Sequence, residues 1–132
     1  MSETEIKYFD LITTGLAYVN RVEDVVPEEG DPFLKVTLAA LRGSAENVQY
    51  TRFDCRVAGV QAMSAIEQVR APVQNDRKVL IGFTLSGLYP QTFTFKRGER
   101  AGETGIALKA RLIKVSWARI DGTVVELESS AA

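Results

Sequence analysis

Apolar and polar positions alternate with period two along much of this chain, and the alternation predicts its strands. From Phe33 to Arg42, Leu34, Val36, Leu38 and Ala40 fall on one face, and Phe33, Lys35 and Thr37 on the other. From 49 to 58, Phe53, Cys55 and Val57 oppose Tyr50, Arg52, Asp54 and Arg56, and Gly59 ends the run. Upstream, Tyr8 to Val26 is rich in β-branched and aromatic residues and predicts a long first strand, with Gly15 marking a bulge or bend. Pro27 to Pro32 is a turn cluster, and Gly43 to Asn47 a hairpin loop. Gln61 to Arg70 lacks Gly and Pro and repeats Met63, Ile66 and Val69/Arg70 at helical spacing, which predicts a short helix that Pro72 stops. After an Asn75-Asp76 turn, Lys78 to Leu85 is a nearly continuous hydrophobic strand containing Gly82. Ser86 to Lys96 is an aromatic excursion through Leu88, Tyr89, Phe93 and Phe95, followed by a flexible basic loop, KRGERAGETG. A fifth strand, Ile106 to Trp117, sets Ile106, Leu108, Ala110 and Leu112 against Lys109, Arg111 and Ile113. Asp121-Gly122 is a hairpin turn signal, so Thr123 to Leu127 is expected to pair back as a short strand.

This order predicts an all-β protein with one helix, placed between the third and fourth strands. That is the layout of an OB-fold, a five-stranded Greek-key barrel that binds oligonucleotides across one face. The length of 132 residues suits one domain. The expected organisation is a flexible N-terminal arm over 1–7, the OB-fold domain over 8–128 and a short tail over 129–132.

Composition removes several classes of function. There is no histidine and one cysteine, Cys55, so zinc sites and the usual catalytic triads lose their donors, and no internal disulfide can form. No cofactor fingerprint is present; the glycines of GERAGETG are not followed by Lys-Ser/Thr as in a phosphate-binding loop. The acidic set Glu23, Asp24, Glu28, Glu29 and Asp31 fits no calcium-loop spacing. The expectation is a binding protein, not an enzyme, without cofactor or metal. A polar, acidic start, no membrane-spanning apolar run and a lone thiol point to the cytoplasm. The net charge of −1 argues against coating duplex DNA through bulk charge, yet residues 96–114 concentrate Lys96, Arg97, Arg100, Lys109, Arg111 and Lys114.

If the apolar faces of the second and third strands point inward, Phe33, Lys35, Thr37, Tyr50, Arg52 and Arg56 share the outer face. Cations that track phosphates and rings that stack on bases are what single-stranded nucleic acid requires. The same face could instead be simply solvated, or buried between subunits. Tyr89, Phe93 and Phe95 with Lys96, Arg97 and Arg100 form a second candidate, in the loop that often clamps the strand in OB-folds; here the alternative is that Phe93 or Phe95 folds into the core. Lys109 and Arg111 would extend the basic track or be solvated. Phe53 is expected in the core unless the register slips by one residue, and Cys55 reads as a small buried hydrophobe.

With these strands laid out, TRFDCRVAG, a short helix and RKVLIGFTLSGLY are similar to the core of bacterial single-stranded-DNA-binding proteins. The chain departs from them at Ala58, where an aromatic is common, in the position of Trp117, and in lacking their long acidic-tipped tail. A resemblance spanning nearly the whole chain is carried by KYFDLITTG, YTRFD, KVLIGF, TFT and AGETGIALKARL. These segments look like a family described as replication proteins of integrative and conjugative elements, a domain of unknown function. The resemblances imply a single-stranded-DNA-binding protein serving replication or transfer of a mobile element. They also imply a homo-oligomer, dimer or tetramer, and contacts with replication or conjugation proteins, with no membrane partner. The competing expectation is an OB-fold assembly module that contacts protein without binding DNA, through Leu16, Tyr18 or Tyr89.

Overall fold

The computed structural model describes residues 9–127; the arm predicted over 1–7 and the tail over 129–132 lie outside them. Within that range the chain forms β1 (Ile12–Val25), β2 (Phe33–Arg42), β3 (Gln49–Val57), α1 (Val60–Gln74), β4 (Val79–Thr94), β5 (Thr104–Ile120) and β6 (Thr123–Val125). Neighbours run β3-β2-β1-β4-β5-β6, all antiparallel, and a parallel β3–β5 pairing closes the sheet on itself. The result is a closed five-stranded, OB-like barrel with the helix between its third and fourth strands, as the sequence pattern predicts. β1 serves both halves: residues 12–18 pair with β4, and residues from Ala17 onward pair with β2.

The period-two faces sort as expected. Leu34, Val36, Leu38 and Ala40 of β2 and Phe53, Cys55 and Val57 of β3 are buried together with Ile81, Phe83 and Leu85 of β4 and Leu112 and Val115 of β5. Thr37 departs from the predicted outer-face pattern: it lies on that face but is only 6% exposed. Its short side chain stands between the longer cross-strand neighbours Arg21 and Asp54.

The irregular positions fall elsewhere than predicted. Gly15 is not a bulge; a Cβ there would meet the Phe83 ring at 3.1 Å, so the glycine makes room for a core aromatic. The break in the β1–β2 register lies between Val19 and Arg21, at Asn20. β4 does not end at Leu85 but continues to Thr94, paired with β5 in one long hairpin. Of three register breaks in the β4–β5 ladder, one lies on β4 between Ser86 and Tyr89, and the two on β5, at Ile113 and Ser116, let that strand wrap the barrel while Leu112, Val115 and Ala118 all stay inside.

The helix also differs. It begins at Val60 and runs through Pro72 to Gln74. Pro72 sits in the last turn, where its carbonyl accepts from the backbone N–H groups of Asn75 and Arg77, and buried Val73 holds that turn against the core. The buried face is Ala62, Ala65, Ile66, Val69 and Val73; Met63, expected on it, is 45% exposed.

Side chains fasten the helix to the barrel. The Gln61 amide donates to Val115 O (2.7 Å) and its oxygen accepts from Val115 N–H (2.9 Å), standing in for a β-partner where β3 has ended. Arg70 pairs with Asp24 of β1 and with Glu67. Arg77 reaches Asp121 (2.8 Å), whose carboxylate also accepts from Lys78 N–H, pinning the Asp121-Gly122 turn, where both φ angles are positive. Hydrogen bonds from Arg70 and from Arg77 lower the carboxyl pKa of Asp24 and of Asp121, respectively. With native pKa values depressed, these contributions are complete above the ordinary aspartate range and fade as pH falls through the lower native values.

Gly82 makes a very close approach: an added Cβ would lie 2.6 Å from Trp117 Nε1 and 3.0 Å from its ring carbon Cε2. Gly82→Ala is expected to push the indole off the sheet at a cost of about 1–3 kcal/mol. Because Trp117 is the sole tryptophan, its native emission reports the displacement directly. An unshifted spectrum and an unchanged melting temperature would contradict this packing.

Candidate functional site

Barrel closure decides which outer-face residues meet. Lys35 on β2 stands opposite Arg56 on β3, and Arg56 opposite Arg111 on β5, which in turn faces Ser86 on β4. The next row runs Thr37, Asp54, Lys109, Tyr89. Beyond it, Ala39 pairs with Arg52, and β3 and β5 separate. Residues far apart in sequence thus become one surface, with three cations directly in line across three strands.

Two adjoining hollows follow that surface. The first, about 530 Å³, is bordered by Phe33, Lys35, Arg56, Tyr89, Lys109 and Arg111. The second, about 400 Å³, is bordered by Tyr50, Arg52, Phe93, Ile106 and Leu108 where the strands diverge. Asp54 lines both and so marks their junction. Its side chain is 10% exposed and accepts from Arg52 Nε at 3.3 Å.

Asp54 pairs with Arg52 and stands opposite Lys109, whereas Arg56 and Arg111 are held by neutral partners. The Arg56 guanidinium lies 4.4 Å from the Phe33 ring centroid, a contact that positions it without cancelling its charge. Arg111 donates to Ser86 Oγ at 3.4 Å, again a neutral partner. Lys35 has Glu23 as its β1 neighbour, but that carboxylate is engaged by Arg21 at 3.3 Å. Tyr50 and Tyr89 are about half exposed, so both offer ring surface to solvent.

The tip of the β4–β5 hairpin is organised separately. Phe93 and Phe95 meet edge to face at 4.8 Å, over Gly105, where a Cβ would collide with both rings. Arg100 covers Phe95 at 4.2 Å and pairs with Glu103 at 3.6 Å. Neither phenylalanine folds into the core. Backbone hydrogen bonds Phe95 N–H to Glu103 O and Gly102 N–H to Phe95 O close the loop.

Of the residues singled out from sequence, the structure gathers Phe33, Lys35, Arg56, Tyr89, Lys109 and Arg111 around the first hollow, and Tyr50 and Arg52 around the second. Lys96, Arg97 and Arg100 border neither; they sit exposed at the hairpin tip. Gln91 and Asp54 border the hollows without having been singled out, whereas Phe93, part of the second candidate, is a wall of the second hollow. The signal for Phe93 is the alternation Thr92-Phe93-Thr94-Phe95, a strand continuing past Tyr89. Glu23, Asp24, Glu28, Glu29 and Asp31 do not converge: among the described residues no group of carboxylates or cysteine is placed to hold a metal ion. Among the described residues no helix is long and apolar enough to cross a membrane.

A family model described as "Protein of unknown function (DUF3577)" matches residues 2–132. No curated protein and no solved structure matches the chain.

Cys55 forms part of the floor of the first hollow but is 1% exposed, and burial, with the nearby Asp54 charge, pushes its thiol up to about 12. At pH 8 the folded protein is expected to react with maleimide at least roughly a hundredfold more slowly than the unfolded chain. Equal rates would show that the floor is open.

Proposed function

We propose that this chain, which belongs to the DUF3577 family of proteins of unknown function, binds single-stranded DNA along the outer face of β2, β3 and β5 and the adjoining β4–β5 hairpin. The supporting observation is the row Lys35, Arg56, Arg111. Like charges directly opposite one another on a sheet are destabilising; Arg56 and Arg111 have only the neutral partners Phe33 and Ser86, and Glu23, opposite Lys35, is engaged by Arg21. A phosphate backbone laid along the row relieves that repulsion, and Tyr50 and Tyr89 stand beside it as surfaces for bases. The five strands supply positions, not chemistry; no step of bond making or breaking is part of this reading, and the protein acts as a binder, not an enzyme.

The setting follows from the resemblance carried by Tyr50 to Asp54, Lys78 to Phe83 and Ala101 to Leu112. On that ground we place the protein in the replication or transfer of an integrative and conjugative element, in the cytoplasm, as a homo-oligomer in contact with replication or conjugation proteins. A second reading, a protein-assembly module without DNA contact, is favoured by the apolar outer face of β1, where Ile12 and Leu16 are exposed.

Titration of a fluorescent oligothymidylate across salt concentrations tests the first reading. Binding is expected to weaken with salt, and removing a phosphate contact should reduce the slope of log K against log salt by about 0.7. Arg56→Ala and Lys109→Ala are each expected to do so. Asp54→Asn should act oppositely and tighten binding about two- to fivefold, because it deletes the carboxylate at the junction of the hollows. Tyr89→Ala should cost about 1–3 kcal/mol through a lost stack. A folded protein that binds no oligonucleotide at low salt would end this reading. Partner capture that survives charge reversal at Arg52 and Arg56 would support the assembly module.

A further inference from the structure

A third hollow, about 620 Å³ and larger than either on the sheet face, lies where the C-terminal end of α1 meets β1 and the start of β4. Tyr18, Asn20, Ala39, Tyr50, Arg77 and Lys78 border it. Tyr50 also borders the second hollow, as Asp54 joins the second to the first. The three hollows are therefore neighbours in series, and Tyr50 stands between the second and the third.

The residues there leave a low pass. Ala39 lies between Tyr18 on β1 and Arg52 on β3 in a single cross-strand row, so a methyl group separates two long side chains. The Tyr18 and Tyr50 rings meet in a tilted pair, centroids 6.4 Å apart and planes at 49°, and form one aromatic ledge beside the pass. Asn20, skipped in the β1–β2 register, borders the far side.

The electrostatics of the far hollow suit an anion better than its position suggests. A helix C-terminus ordinarily repels phosphate through its unpaired carbonyls. Here Ala71 O, Pro72 O and Val73 O accept from the N–H groups of Asn75, Asp76 and Arg77 at 3.0–3.2 Å. Asp76 is a carboxylate on the lining, and Arg77 is committed to Asp121. Lys78 has an exposed side chain beside the hollow, while its backbone N–H is bonded to Asp121.

We propose that the single strand does not stop at the barrel face but crosses the Ala39 pass over the paired Tyr18 and Tyr50 rings into this third hollow, with a base against Tyr18 and a phosphate beside Lys78. The inference rests on the reading of the sheet face given above. From Arg56 to Tyr50 the face spans about 20 Å, at roughly 3.3 Å per residue, so a strand filling it must leave the sheet at Tyr50. OB-folds engage roughly 4 to 16 nucleotides, and the third hollow moves this protein away from the lower end of that range.

The experiment compares oligothymidylates of about 5 and about 15 nucleotides on the full chain, with Lys78→Gln and Tyr18→Leu. Wild-type protein is expected to bind the longer oligonucleotide more tightly than the number of binding registers alone provides. Lys78→Gln should lower the salt slope by about 0.7 for the longer one only. Tyr18→Leu should reduce affinity about tenfold for the longer one only. If both variants bind the longer oligonucleotide like wild type, or weaken both lengths equally, the third hollow is not part of the strand's path and the sheet-face reading stands alone. If wild type binds neither length, both readings fall. Lys78→Gln alters an exposed side chain, so it keeps the test valid if Tyr18→Leu fails to fold.

Discussion

The parallel pairing of Asp54–Val57 with Lys109–Leu112 is the constraint on which the rest of the molecule depends. Without it the strands form an open sheet, and Arg56 and Arg111 belong to its opposite sides. With it the barrel closes, the paired stretch of each edge is covered, and two arginines come into register. Closure is driven from inside, because Cys55, Val57, Ala110 and Leu112 are buried on the inner side of the same seam. Burial of such side chains stabilises by about 1.5–3 kcal/mol each for the larger ones, which can carry the repulsion created on the outer side. Fold and candidate site are thus two faces of one seam.

The helix completes what the seam leaves open. β3 ends at Val57, whereas β5 continues, so its backbone needs partners beyond Leu112. Ala58 N–H bonds to Leu112 O, and the Gln61 side chain then takes both polar groups of Val115. An unpaired buried backbone group costs about 1–3 kcal/mol, so a single amide side chain here lets the strand run on to Trp117 and the β6 hairpin. The same helix, anchored by Arg70 to Asp24, fixes the end of β1 that borders the cationic row. The whole-chain charge of −1 hides this organisation: carboxylates gather on the late part of β1 and its following loop, cations on the seam.

Most of the barrel was legible because strand alternation is a local property. Leu34, Val36 and Leu38 or Phe53, Cys55 and Val57 declare an inner face without reference to the rest of the chain. What resisted was whatever depends on non-local geometry. The bulges at Asn20, Ile113 and Ser116 have no distinctive residue; they exist because a closing strand must change its pitch. Gly15 looked like such a point and instead yields space to Phe83, a neighbour visible only once β1 and β4 pair. Pro72 misplaced the helix end because the last turn tolerates proline when its own carbonyl and a buried Val73 hold it. On the site, the outer face of β2 and β3 followed from parity, whereas its union with Lys109, Arg111 and Tyr89 required the parallel register. The tip cations Lys96, Arg97 and Arg100 drew attention by density alone, and the fold sets them apart from both hollows.

In the proposed mode of binding, a polyanion lies along the seam's outer face, on Lys35, Arg56, Lys109 and Arg111. Mapping backbone amide resonances during addition of oligothymidylate at low salt tests it most directly. Shifts are expected to concentrate at Lys35, Arg52, Arg56, Tyr89, Lys109 and Arg111. Shifts confined to the Ile12 and Leu16 face, or to the hairpin tip alone, would contradict it.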